Sequence, residues 1–150
     1  MNTDRWIRIY GTAIIIYGVY NLIGTGNYRQ FAVMFKGVPG IVIIAAYAFS
    51  IVYGICGVYC GMRISRFEDW ARKVMVGLTS VSVVLGFMLS KTVMANFRNY
   101  ILAPETGVPP ELAGRVYGYM VIFTVLATVF ELSVIVFFTR HGVLSQFKSR

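Results

Sequence analysis

Four long runs of residues free of charge constrain this chain more than any other feature. They cover positions 9–28, 37–62, 74–90 and 116–139, the last interrupted only by Glu131. An α-helix rises about 1.5 Å per residue, so crossing about 30 Å of hydrocarbon takes about 20 apolar residues. Three runs meet that length. The third is short, but Lys91 can snorkel toward headgroups while residues 92–95 complete the crossing. The runs are continuous and do not alternate polar with apolar, which favours helices over a membrane β-barrel, and four strands could not close one. The expected fold is an all-α membrane protein: one domain, 1–150, of four transmembrane helices at about 9–28, 37–62, 74–95 and 116–139.

Charge supports the same reading. Only 13% of the residues are charged, against about 25% in soluble domains. The net charge of +8 would suit nucleic acid, but the basic residues flank apolar runs instead of lining one face of a soluble module, so a nucleic-acid partner is excluded. Arg5, Arg8, Arg63, Arg66, Arg72, Lys73, Arg140, Lys148 and Arg150 fall on one side of the expected topology. Arg29, Lys36, Lys91, Arg98 and Arg115 fall on the other. The richer side is expected to be cytoplasmic, with both termini there. No small-residue cleavage site follows the first run, so it reads as an uncleaved span.

Local signals mark the connections. Ser65-Arg66-Phe67-Glu68 has the form of a capping box, with a helix running on through Trp70, placed at headgroup level. The longest loop is expected at 92–114, where Pro104, Pro109 and Pro110 preclude a continuous helix. Pro109-Pro110-Glu111 suits a helix entry, with proline in the first turn and an acid near the positive helix end. After Arg140, Val143, Leu144 and Phe147 share one side of a short helix expected to lie on the membrane surface.

Lipid tails are as apolar as leucine, so membrane helices associate through small residues and a few hydrogen bonds. The second span carries Ala46, Ser50, Gly54, Gly57 and Gly61; the third carries Ser82, Gly86 and Ser90. These stripes predict a close hairpin of spans two and three. Gly11 and Gly18 share a face of span one.

Glu131 is the most informative polar residue. A carboxylate at membrane depth costs about 2.5–3.5 kcal/mol, so it must face protein or water. It lies about 12 Å from the end of its span by helix rise, the depth of Tyr17 on span one. Asn21 lies one turn further along. Two readings fit: a proton or cation site with a polar conduit, or a structural acid hydrogen-bonded to a neighbouring helix or paired with a partner's basic residue. Cys56 and Cys60 share a helix face without further ligands, and His141, the only histidine, lies outside the spans, so neither a metal nor a haem pair is expected. No phosphate loop, nucleophile–base pair or acidic cluster appears in the sequence, and no cofactor is expected.

The segment 61–73, GMRISRFEDWARK, resembles that of a broad set of small bacterial four-span membrane proteins of unassigned function. In these a second span ends in glycine, and a short W-A-R-K-like element opens the third. The ending Phe137-Phe138-Thr139-Arg140, then Phe147-Lys148, is also similar to theirs. The resemblance implies a prokaryotic cytoplasmic (inner) membrane and transfers no functional residue.

The functional expectation is a non-enzymatic membrane subunit that packs against a larger complex or against itself, its other partner being the lipid bilayer. The rival is a small oligomeric transporter or channel with Glu131 as its coupling residue. A third reading is an enzyme of lipophilic substrates with its site between subunits.

Overall fold

The computed structural model describes residues 3–103 and 106–148. Six helices follow in chain order: α1 (Thr3–Gly24), α2 (Tyr28–Met34), α3 (Gly40–Ile64), α4 (Asp69–Leu102), α5 (Pro110–Thr139) and α6 (His141–Lys148). Among the described residues there is no strand. Helices α1, α3, α4 and α5 are long and apolar enough to cross a membrane. The chain is an all-α, four-span bundle. Pro104 and Arg150, which entered the loop and charge arguments, lie outside the described residues.

Two boundaries differ from those expected. α1 stops at Gly24, and Tyr28 opens the separate short helix α2. α4 continues to Leu102, well beyond position 95, because a charge at Lys91 does not interrupt backbone hydrogen bonding. Its extension supports α2: the Asn96 amide donates to the carbonyls of Met34 and Lys36, both at 2.9 Å, satisfying the end of that helix. Gly37, at φ 86°, then turns the chain back toward α3. α5 begins at Pro110, with Glu111 in its first turn.

The expected hairpin of spans two and three is corrected by the glycine contacts. Gly54, Gly57 and Gly61 of α3 face α1, which runs antiparallel to it. A Cβ at Gly18 would lie 2.8 Å from the Gly54 carbonyl oxygen and 2.9 Å from the Val58 nitrogen. One at Gly61 would lie 2.7 Å from the Gly11 carbonyl oxygen. Gly11 and Gly18 are spaced like Gly61 and Gly54, so two bare patches coincide on antiparallel helices and the backbones meet. α1 meets α5 differently, through rings. Tyr10 stacks on Phe137 at 4.3 Å, Tyr17 meets Phe130 edge-on at 5.3 Å, and Tyr20 lies 4.9 Å from Phe123. Phe123, Phe130 and Phe137 recur every seventh residue and so stay on one face of α5.

The expected capping box is also corrected. The Ser65 hydroxyl donates back to the Gly61 carbonyl, and Glu68 makes no side-chain cap. α3 instead closes with a Schellman-type turn: Phe67 N–H donates to Ile64 and Glu68 N–H to Arg63, with Phe67 at φ 64°. The Arg63–Glu68 ion pair, 2.9 Å, spans this turn, and the Trp70 indole N–H donates to Glu68 at 2.7 Å. Phe67 holds the left-handed conformation although it has a side chain. Its ring is buried near Phe147.

The apolar side of the tail helix faces the bundle. Val143 and Phe147 of α6 pack into the end of the bundle beside Phe67 and Phe138. Arg72 fastens this corner. Its Nε donates to Asp69 at 2.8 Å and its Nη1 to the Phe138 carbonyl at 3.0 Å, satisfying one of the last carbonyls of α5.

The result is a bundle packed at one end and open at the other. The core of Ile7, Ile14, Tyr53, Cys60, Ile64, Met75, Val134 and Phe138 lies wholly in the half that holds α6. No residue of α4 between Thr79 and Ile101 is fully buried, nor any of α3 before Tyr53.

Candidate functional site

The boundary between these halves is polar, and all four long helices contribute to it. Glu131 projects from α5 and is only 7% exposed. Its Oε1 accepts from the Tyr17 hydroxyl of α1 at 3.1 Å and from Ser82 Oγ of α4 at 2.8 Å. Tyr53 of α3 stands edge-on to Tyr17, with ring centroids 6.1 Å apart, and its hydroxyl shares a 3.3 Å hydrogen bond with Thr79 of α4. Among the described residues no lysine or arginine pairs with Glu131; Arg63, Arg72 and Lys73 pair instead with Glu68 and Asp69 at the α3–α4 turn. The carboxyl is held by neutral hydroxyls.

Tyr17 and Glu131 thus meet. Asn21 does not reach the carboxyl; its amide donates to the Tyr17 carbonyl of its own helix at 2.9 Å and faces the open half. Above the cluster lies a cavity of about 230 Å³ between α3 and α4, capped by α2. Tyr53, Ser82 and Asn21 form its floor; Phe31, Phe35, Phe49, Leu85, Leu89 and Val93 form much of its wall.

Several residues expected to pack helices together line this space instead. Ser50, Gly86 and Ser90 face the cavity, and a Cβ at Gly86 would meet nothing within 4 Å. Ser82 both lines the cavity and binds Glu131. Gly54, Gly57 and Gly61 do make close contacts, but with α1. Small residues permit close approach without enforcing it. Here α3 and α4 stay apart in the open half.

Sequence reasoning missed Tyr53 and Thr79. The signal for Tyr53 was present: Tyr53, Gly57, Cys60 and Ile64 recur at helical spacing, and all four are buried. Cys60 is buried and Cys56 half-buried, both as free thiols. Among the described residues no three of His, Cys, Asp and Glu gather as metal ligands.

No protein-family model matches this chain, and neither a curated protein nor a solved structure does.

Proposed function

We propose that this chain is a non-enzymatic subunit of a prokaryotic cytoplasmic membrane that packs against other membrane subunits or against copies of itself. One observation carries the reading: Glu131, the costliest residue in the spans, is occupied within its own chain by Tyr17 and Ser82. An acid held this way clasps α1, α4 and α5 together. The outward faces remain apolar, with Ile16, Ile23, Ile41, Phe87, Met88 and Tyr119 each at least 66% exposed, a surface for lipid and for neighbouring helices. Both termini are assigned to the cytoplasmic side from the nine-to-five division of basic residues.

Native mass spectrometry of the protein released from a mild detergent tests this. A second polypeptide at fixed stoichiometry, or a defined homo-oligomer, supports the reading. A bare monomer under all mild conditions overturns it.

A second reading, a small oligomeric transporter coupled through Glu131, is favoured by the cavity's reaching Ser82 and Tyr53 beside that acid. It expects Glu131→Gln to fold normally and to abolish flux in reconstituted vesicles. Unchanged flux removes it.

A further inference from the structure

We propose that the cavity between α3 and α4 is a binding site for a neutral amphiphile, an uncharged lipophile carrying one hydroxyl or carbonyl group. Four features of the cavity define that ligand.

Size comes first. An engineered apolar cavity of about 150 Å³ takes up benzene, so the 230 Å³ here suits roughly nine or ten carbons, as one substituted ring or a medium-length chain. Charge comes second. No Asp, Glu, Lys, Arg or His lines the cavity, and Glu131 behind its floor is already bound by two hydroxyls. A charged ligand would be desolvated there without a counter-ion, which is costly.

The third feature is an unused hydroxyl. In these helices Ser80, Ser90, Thr124 and Ser133 all donate to carbonyls of their own helix. Ser50 lines the cavity, and among the described residues its hydroxyl makes no hydrogen bond. It stands about one helical turn above Tyr53, on the same helix. A ligand hydroxyl or carbonyl directed at the floor meets Ser50, with the Asn21 amide also lining the space. The fourth is the wall: Phe31 of α2 and Phe35 just beyond that helix, with Leu89 and Val93 of α4, give the apolar remainder a lining away from that polar end. One polar end and one apolar body match an amphiphile better than a pure hydrocarbon.

The test uses the intact chain in phosphatidylcholine vesicles and a 1-decanol probe bearing a diazirine at the far end of its chain. After photolysis, the labelled positions are mapped by mass spectrometry. Label is expected on 31–35 and 85–94. Excess unlabelled 1-decanol should suppress it, and n-decane should do so poorly. Ser50→Ala should raise the decanol needed for half-suppression about five- to tenfold, the worth of one hydrogen bond. Ser80→Ala, on α4 but outside the cavity, should leave it unchanged, because that hydroxyl is bound to the Val76 carbonyl and does not line the space. The melting temperature of each variant confirms that it folds. Label spread over outward positions such as Leu126 and Val129 would overturn the proposal. So would equal competition by decane, or an unaltered half-suppression in Ser50→Ala. Absence of specific label leaves a cavity holding water alone, which overturns it too.

Discussion

The Tyr17 hydroxyl donates to Glu131 across 3.1 Å, joining α1 to α5 at the level where Ser82 brings α4 to the same oxygen. Three helices therefore meet on one atom. Glu131→Ala removes the acceptor of two buried donors and should lower stability by about 1–2 kcal/mol, the range for interhelical polar contacts in membranes. Glu131→Gln keeps a carbonyl acceptor in the same place and should be close to neutral. Tyr17→Phe should cost about 0.6 kcal/mol. Because the two residues share one hydrogen bond, Tyr17→Phe combined with Glu131→Ala should cost less than the sum. Equilibrium unfolding in mixed micelles measures all four; strict additivity would show that the contact contributes nothing.

Gly18 is one place where added volume is poorly tolerated. A Cβ there meets the backbone of α3 at Gly54 and Val58, which cannot rotate aside as a side chain can. Gly18→Ala should destabilise by about 1–3 kcal/mol, the usual cost of overpacking. Gly54→Ala meets mainly the flexible Leu22 side chain and should cost less. Gly86→Ala meets nothing and should be neutral or slightly stabilising in its helix. If Gly18→Ala and Gly86→Ala melt at the same temperature, the α1–α3 backbone contact is not limiting.

Phe67 combines an unfavourable backbone conformation with a buried ring. The left-handed region costs an L-residue roughly 1–2 kcal/mol, and glycine is spared it. Both Phe67→Ala and Phe67→Gly lose the contacts near Phe147 and should be destabilised. Only the glycine variant escapes the backbone cost. It should therefore be the more stable of the two by about 1 kcal/mol, the reverse of their order in a helix interior. Chemical unfolding of both variants decides; an alanine variant at least as stable as the glycine one would remove the strain argument.

The exposed pair at the α3–α4 turn sets a pH dependence. Hydrogen bonds from the Arg63 guanidinium, and then from the Trp70 indole, hold the Glu68 carboxyl below its ordinary value of about 4.5. When the folded value is the lower one, the unfolded chain takes up the proton first as pH falls. The pair's contribution is thus whole above about pH 4.5 and is lost as pH drops through the folded-state value. Exposure to solvent keeps the effect small. The wild-type melting temperature should fall more steeply below that pH than that of Glu68→Gln, which lacks this titration. Parallel curves would show that the turn does not depend on the pair.

Much of the candidate site was legible before any coordinates. Tyr17 and Glu131 could be assigned a common depth because helix rise is fixed and each lies a known distance from the end of its apolar run. Ser82 was visible only as a small residue, since nothing in its spacing separates a packing serine from one that donates to a carboxylate. Tyr53 carried the helical spacing of an inward face, but it sat among so many apolar residues that its hydroxyl drew no attention.

By itself the sequence determined that four helices are long and apolar enough to cross a membrane, because the length of a charge-free run is a local, one-dimensional property that hydrocarbon thickness selects. It also marked the stretches of bare backbone, since glycine and serine declare their size without reference to neighbours. Only the tertiary structure decided what those stretches meet. Whether a stripe faces a helix, a cavity or lipid depends on how far each helix is rotated about its own axis, and that rotation is set by all four together. The matched spacing of Gly11 and Gly18 with Gly61 and Gly54 draws α1 onto α3. The aromatic face of α5 holds α1 at ring distance, and the hydroxyls of Tyr17 and Ser82 converge on Glu131. With those contacts made, Ser50, Gly86 and Ser90 are left lining the space between α3 and α4 instead of closing it.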